Sequence, residues 1–393
     1  MLRRHFVPLC LGAACGRAQP PRLDPIPAEA PAPPSRGGGP FAARRWRVQY
    51  LFDDDKWSAL LADLCCPAPG RAAAALWLES GFRRRFAALV SREAAAQWAE
   101  VPLKERPISF FVLDEKHVWL VGEKSLWIST ESGFSWDKLG LPKTSRRRAP
   151  HRVHFLDAGQ GWAFGPGRTF HATVDGGASW KPVPESASLQ LKDENTVWTA
   201  MTFIDSRHGL IAGCSDPRLG EDQPLPDWML PERASRRRLV PVTTVAGETR
   251  DGGASWKFSV TSAFGRPVCL RSSGNQGLII YHYGENFAFP SEVYSLDFRT
   301  GRSRPVFRRR ELRVDDAALL PDGTAILAAI RPSGGLRASP VPGKLQVLCS
   351  GDLDHWSEMS VDYRAEGRRA ILAAPTPGSL WAATDLGCIL RLV

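Results

Sequence analysis

The chain has 393 residues, 43% of them hydrophobic, with a formal net charge of +10 and an isoelectric point near 9.4. That apolar content supplies a large core and excludes a wholly disordered chain. No later stretch reaches the roughly 18 uninterrupted apolar residues of a transmembrane helix, and the basic balance favours anionic partners, with genome composition as the competing explanation for so much arginine.

In chain order, Arg3 and Arg4, the apolar run 6–15 and Gly16-Arg17-Ala18 read as an export signal over residues 1–18. Cleavage at the small residues and acylation at Cys15 are both open. Residues 19–45 are rich in Pro, Ala, Gly and Arg and lack apolar periodicity, so they are expected to be a disordered linker. The folded part, 46–393, starts with WRVQYLF (46–52), which alternates like a strand and runs into a DDD turn signal.

One pattern then recurs, S/T-x-D-x-G-x-S/T-W. It is complete at 173–180 (TVDGGASW) and 249–256 (TRDGGASW), and 129–136 (STESGFSW) has Glu131 at the acid position. SREAAAQW (91–98) keeps the frame around Glu93, and decayed forms surround Asp297, Asp352 and Asp385. Each fixed position has a task in a tight turn between antiparallel strands. Asp175 and Asp251 accept turn amides, Gly177 and Gly253 take positive φ, and Trp136, Trp180 and Trp256 enter the next strand and need an apolar slot. Successive acids lie near the 40–50 residues of one four-stranded blade, and the long interval from Asp175 to Asp251 is one blade with an insertion at 214–247. The blade around Asp385 runs out at Val393 with no room for a full fourth strand after CILRLV. Strand 46–52 is therefore predicted to complete it and close a ring of seven blades.

The pattern resembles the Asp-box, or bacterial neuraminidase repeat, whose copies sit between the third and fourth strands of propeller blades. The expected fold is an all-β, seven-bladed β-propeller of four-stranded blades. Boxes and strand 1–2 turns then share one face; strand 2–3 loops and blade connections share the other. The long segments 214–247, 282–292 and 331–344 belong to this second face, as do the arginine triplets 83–85, 146–148, 236–238 and 308–310. Arg84, Arg147, Arg237 and Arg309, with Trp228 in the insertion, are the candidate partner-binding residues.

Catalysis finds little support. A sialidase would need a Tyr nucleophile with a Glu partner; only Tyr281 and Tyr283, near Glu285, lie close to the loop face, and Asp53–Asp55 read as a solvated turn. No nucleophile elbow, P-loop or dinucleotide fingerprint is present. The eight Cys lack metal spacing, adjacent Cys65 and Cys66 cannot easily bridge each other, and no cofactor or nucleic-acid partner is expected.

The Trp-rich blades with DGGASW boxes, GWAFG-type second strands and Pro-rich N-terminus resemble the photosystem II stability/assembly factor propellers and the sortilin-like and WD40/YVTN/neuraminidase-repeat-like exported bacterial proteins. The resemblance implies a non-enzymatic, monomeric binding or assembly scaffold in the periplasm or outside the cell. An arginine-rich face would hold an acidic protein or membrane-protein subunit, and lipid anchoring through Cys15 is open. A sialidase-like or glycan-binding propeller is the alternative.

Overall fold

The computed structural model describes residues 41, 43–92, 97–216, 242–284, 287–332, 341–376 and 378–393. The proposed signal, nearly all of the linker, Trp228, Arg237, Glu93 and Glu285 lie outside the described residues.

Seven four-stranded antiparallel sheets are arranged in chain order around one axis, which makes the fold a seven-bladed β-propeller. The innermost strands are Ser58–Ala68, Pro107–Asp114, Arg152–Phe155, Thr196–Phe203, Arg266–Ser273, Arg313–Leu319 and Ala370–Thr376, for blades I to VII. Because each blade is covered by a neighbour on both sides, the middle strands are apolar without alternation. Blade I's second strand, Arg71–Ser80, buries Ala72 to Ala75 completely, small side chains suited to sheets packed face to face.

The opening strand Arg45–Leu51 pairs antiparallel with Cys388–Leu392 and forms the outer strand of blade VII, as predicted. Arg45 N–H donates to Val393 O at 2.9 Å, and Val393 N–H donates to Arg45 O at 3.0 Å. Trp46, 1% exposed, seats the strand and donates from Nε1 to Met359 Sδ at 3.3 Å. Ser360–Val361 then pairs parallel with Arg45 and Trp46 and covers the outer edge that would otherwise be open.

One landmark is corrected. Asp385 does not mark a seventh box. Ser379–Thr384 is the second strand of blade VII and Cys388–Leu392 the third, so the turn between them lies on the loop face, opposite the boxes. Asp385 is buried there, and its Oδ1 accepts the N–H groups of Arg368 (2.7 Å) and Arg369 (3.0 Å), which lead into the blade's inner strand. The count of seven survives because the blade itself exists.

The insertion is shorter than expected, since Gly209–Ser215 and Thr243–Thr249 form the second and third strands of blade IV. Carboxylates stitch the inner edges, whose N–H groups have no ladder partner. Asp63 Oδ2 accepts from Phe110 N at 2.8 Å, Asp315 Oδ2 from Ala370 N at 2.9 Å and Asp316 Oδ2 from Leu372 N at 3.0 Å. Each of these bonds joins two different blades.

Candidate binding face

The two propeller faces differ in chemistry. On the box face, Asp251 Oδ1 accepts from Thr249 Oγ1 (2.8 Å) and Ser255 N (2.9 Å), and Oδ2 accepts from Ser255 Oγ at 2.5 Å. Asp175 has the same partners in Thr173 and Ser179. Hydrogen bonds from the serine hydroxyls, then the serine amides, hold both carboxyls down to about 2. In the Glu131 box the longer side chain reaches Ser135 Oγ at 2.7 Å.

Each box also grips the preceding blade. Trp180 Nε1 donates to Gly140 O at 2.8 Å, Gly133 sits against Val90 and Ala73, and Trp256 meets Trp162 edge to face at 5.9 Å. Trp136 stacks on Phe110 of its own blade's inner strand, with ring centres 6.0 Å apart. Turn acids and hydroxyls are thus consumed by the fold.

On the loop face the triplets are partly engaged. Arg83–Arg92 is the third strand of blade I, so the first triplet starts a strand instead of lying in a loop. Arg84 pairs with Glu79 at 3.2 Å and Arg85 with Glu100 at 3.0 Å. Arg146–Arg148 forms a single 3-10 turn between blades II and III, with Arg147 exposed and Arg148 on Asp193 at 3.2 Å. Arg308 ends blade V, 3.6 Å from buried Glu292, and Arg309 lies over the Phe307 ring.

A second arginine set, scattered in sequence, converges on the channel mouth. Inner strands begin on the loop face. Those of blades III, V and VI begin with Arg152, Arg266 and Arg313, and those of blades II and VII are directly preceded by Arg106 and Arg369. Five of seven blades therefore carry an arginine at or just before the loop-face start of the inner strand, at differing levels: Ser109, three residues after Arg106, sits beside Arg152, donating from Oγ to His151 O at 2.7 Å, and the Arg106 guanidinium lies over Trp77. Arg266 pairs with buried Asp216 at 3.2 Å, and Arg313 with buried Asp315 at 2.9 Å, yet each keeps about two-fifths of its side chain in solvent (42% and 41%). Arg369 donates to Leu61 O and Ala62 O. Arg152 makes no side-chain hydrogen bond or ion pair among the described residues; Asp63 is its electrostatic partner.

The histidines between them register the field. Burial, then Arg152 and Arg106, lowers His151; burial lowers His282 to about 4, with Arg313 and Arg266 adding to it. The contiguous triplets are the louder signal in the sequence; the quieter one is an Arg directly before an inner strand's apolar run, in ERPISF, HRVHF, GRPVCL, LRVDD and RRAIL.

Tyr283 has the Glu partner that a sialidase tyrosine needs, although not the Glu285 expected, and that carboxylate is buried and shared with Tyr294. Tyr281 is a core residue of blade V. Tyr283 and Tyr294 both donate to Glu292 Oε2, at 2.9 and 3.0 Å, and burial followed by that carboxylate pushes both phenols up. The six described cysteines are buried and unbridged. Among the described residues no helix is long and apolar enough to cross a membrane.

No protein-family model matches the chain. It is 26% identical over 292 residues to the photosystem II assembly lipoprotein Ycf48 of Synechococcus sp. (strain CC9902), covering 70% of this chain and 80% of that protein. Among solved structures it is similar to YCF48 bound to D1 peptide, with TM-score 0.52, 15% identity and coverage of 87% of this chain and 98% of that one. YCF48 from Cyanidioschyzon merolae gives TM-score 0.52 and 13% identity over 88% and 98% of the two chains. Together with the boxes, the seven blades and the closing strand, these findings make the chain a seven-bladed β-propeller homologous to the photosystem II assembly factor Ycf48.

Proposed function

We propose that the protein is a non-catalytic binding scaffold whose arginine-ringed mouth holds an acidic segment of a protein partner. The observation that carries this reading is the placement of Arg106, Arg152, Arg266, Arg313 and Arg369 at or next to the loop-face starts of five inner strands. Guanidinium forks suit bidentate capture of carboxylates, and a ring of them steers an acidic chain toward the axis. Arg84, Arg147 and Arg309 extend the same charge outward on this face. The homologue's role in assembly and the D1 peptide held by a structural relative support a protein ligand. We further propose export through residues 1–18, with Cys15 as an acylation site, and action as a monomer. Glycan hydrolysis by Tyr281 or Tyr283 is less well supported, because Tyr281 is in the core and the Glu292 that accepts from Tyr283 is buried and shared with Tyr294.

Arg152→Gln is the sharpest test, since no internal hydrogen bond is lost and no second carboxylate is set beside buried Asp63. Its affinity for a fluorescent acidic peptide, read by anisotropy, should fall at least about ten-fold while the chain still melts cooperatively, the scale of one charge-assisted contact. Unaltered binding would remove the mouth from the proposal.

A further inference from the structure

Blade I carries a feature the mouth does not use. Its second and third strands stay paired residue for residue through Trp77↔Phe86, Leu78↔Arg85, Glu79↔Arg84 and Ser80↔Arg83. Trp77 is already level with the start of blade II, because the Arg106 guanidinium lies over its ring at 4.3 Å. The three pairs beyond it carry the hairpin roughly 10 Å past Trp77, at about 3.3 Å per residue; Ala59 and Ser58 of the inner strand flank it as far as Glu79, so the Ser80–Arg83 pair and the turn stand beyond the sheet. The tip is a two-residue turn in which Gly81 takes φ 59, the positive value a primed hairpin turn needs at that position. Phe82 follows at the apex and is fully exposed (106%), touching no core.

The chemistry along this hairpin is layered. An aromatic ring sits at the tip and Arg83, Arg84 and Arg85 come next. Trp77 forms the base, under the guanidinium of Arg84 (5.6 Å), and Trp57, which precedes the Ser58–Glu79 pair, lies further out under that of Arg85 (5.5 Å). Glu79 and Glu100 are neutralised by Arg84 and Arg85, whereas Arg83 and Arg106 have no acidic partner among the described residues. Leu51, at the end of the opening strand, is exposed on the same face; Asp53 to Asp55 are the opposing charges there.

We infer that the Phe82 hairpin is a peripheral contact for an anionic lipid surface. Interfacial side chains penetrate about 5–10 Å into the boundary between headgroups and acyl chains. That depth takes Phe82 below the phosphates, brings Arg83 to Arg85 and Trp57 level with them, and leaves Trp77 toward the water side, within the interfacial zone where amphipathic rings are favoured. A protein pocket would satisfy Phe82 but gives no reason for a cationic belt one residue behind it. The contact is at the rim, so the mouth stays open toward whatever lies in or on the same membrane.

The full chain, purified without detergent, is mixed with vesicles of phosphatidylcholine alone or with 30% phosphatidylglycerol, and bound protein is measured by flotation. Binding should require the anionic lipid and fall with added salt. Phe82→Ser and the triple Arg83→Ser, Arg84→Ser, Arg85→Ser variant should each weaken it about ten-fold. Val174→Ser removes another exposed apolar residue (79%), from the box face, and should leave binding unchanged. Wild-type indifference to lipid charge, equal binding by Phe82→Ser, or an equal loss in Val174→Ser overturns the inference. Phe82 packs against nothing, so unaltered melting of Phe82→Ser confirms that the fold is intact.

Discussion

Gly253 shows how much the box turn depends on one missing side chain. Its φ is 86, and an added Cβ would overlap the ring of Trp162 in the preceding blade. Gly253→Ala therefore combines a left-handed backbone penalty with overpacking, and should cost about 2–4 kcal/mol in chemical denaturation, leaving binding intact in the folded fraction. A second residue-scale test concerns acid. Burial raises Asp315 to about 6, while burial lowers its neighbour His282, 3.7 Å away, to about 4. Asp315 lies above its unfolded value, so the stability it contributes is full below about pH 4 and is lost as pH rises through about 6. His282 lies below its unfolded value, so its contribution is present above about pH 6.5 and is lost on acidification toward 4. The two oppose each other across one window. Asp315→Asn leaves His282 unopposed. Relative to wild type, the variant should lose stability between pH 7.5 and 4.5, by about 1–3 kcal/mol if the shift is fully expressed, read as the difference in melting at the two pH values.

Closure is the element-scale question. The opening strand is held by its ladder to Cys388–Leu392, by the burial of Trp46 and by the cover from Ser360–Val361. Trp46→Ala removes the largest of these contributions and should destabilise by about 3–5 kcal/mol, a single cooperative loss if the ring melts as one unit. The boxes were legible in sequence because turn chemistry is local. Acid, glycine and hydroxyl all act within eight residues, as at Asp175 and Asp251. Asp385 misled because Asp-x-Gly fits any tight turn where Gly387 takes φ 87. Only the pairing of strands more than 330 residues apart, Arg45–Leu51 with Cys388–Leu392, tells which turn it is.

For the whole molecule, the number of blades follows from repeat spacing, but the binding face does not. Clusters at strand starts become visible only once those starts are known. Arg106, Arg152, Arg266, Arg313 and Arg369 are far apart in sequence, each leading into an inner strand, whereas the triplets stand out simply because they are contiguous. In the fold, Arg84 and Arg85 pair with Glu79 and Glu100 while keeping more than half of their side chains in solvent, and Arg308 faces Glu292. Function on this scaffold is divided between faces: the boxes lock blade to blade, and the opposite rim is left to carry charge.

The partnership of first and last strands also sets a timetable. At about 5–20 residues per second, roughly 20–70 s separate synthesis of the opening strand from that of its partner. For that interval the strand has no ladder on either side and is a risk for stray pairing. It is only seven residues long, and Arg45 and Arg47 flank Trp46 at exposed positions. Short length and flanking charge are what keep an orphan strand soluble, so the residues that finish the ring last are also equipped to wait for it.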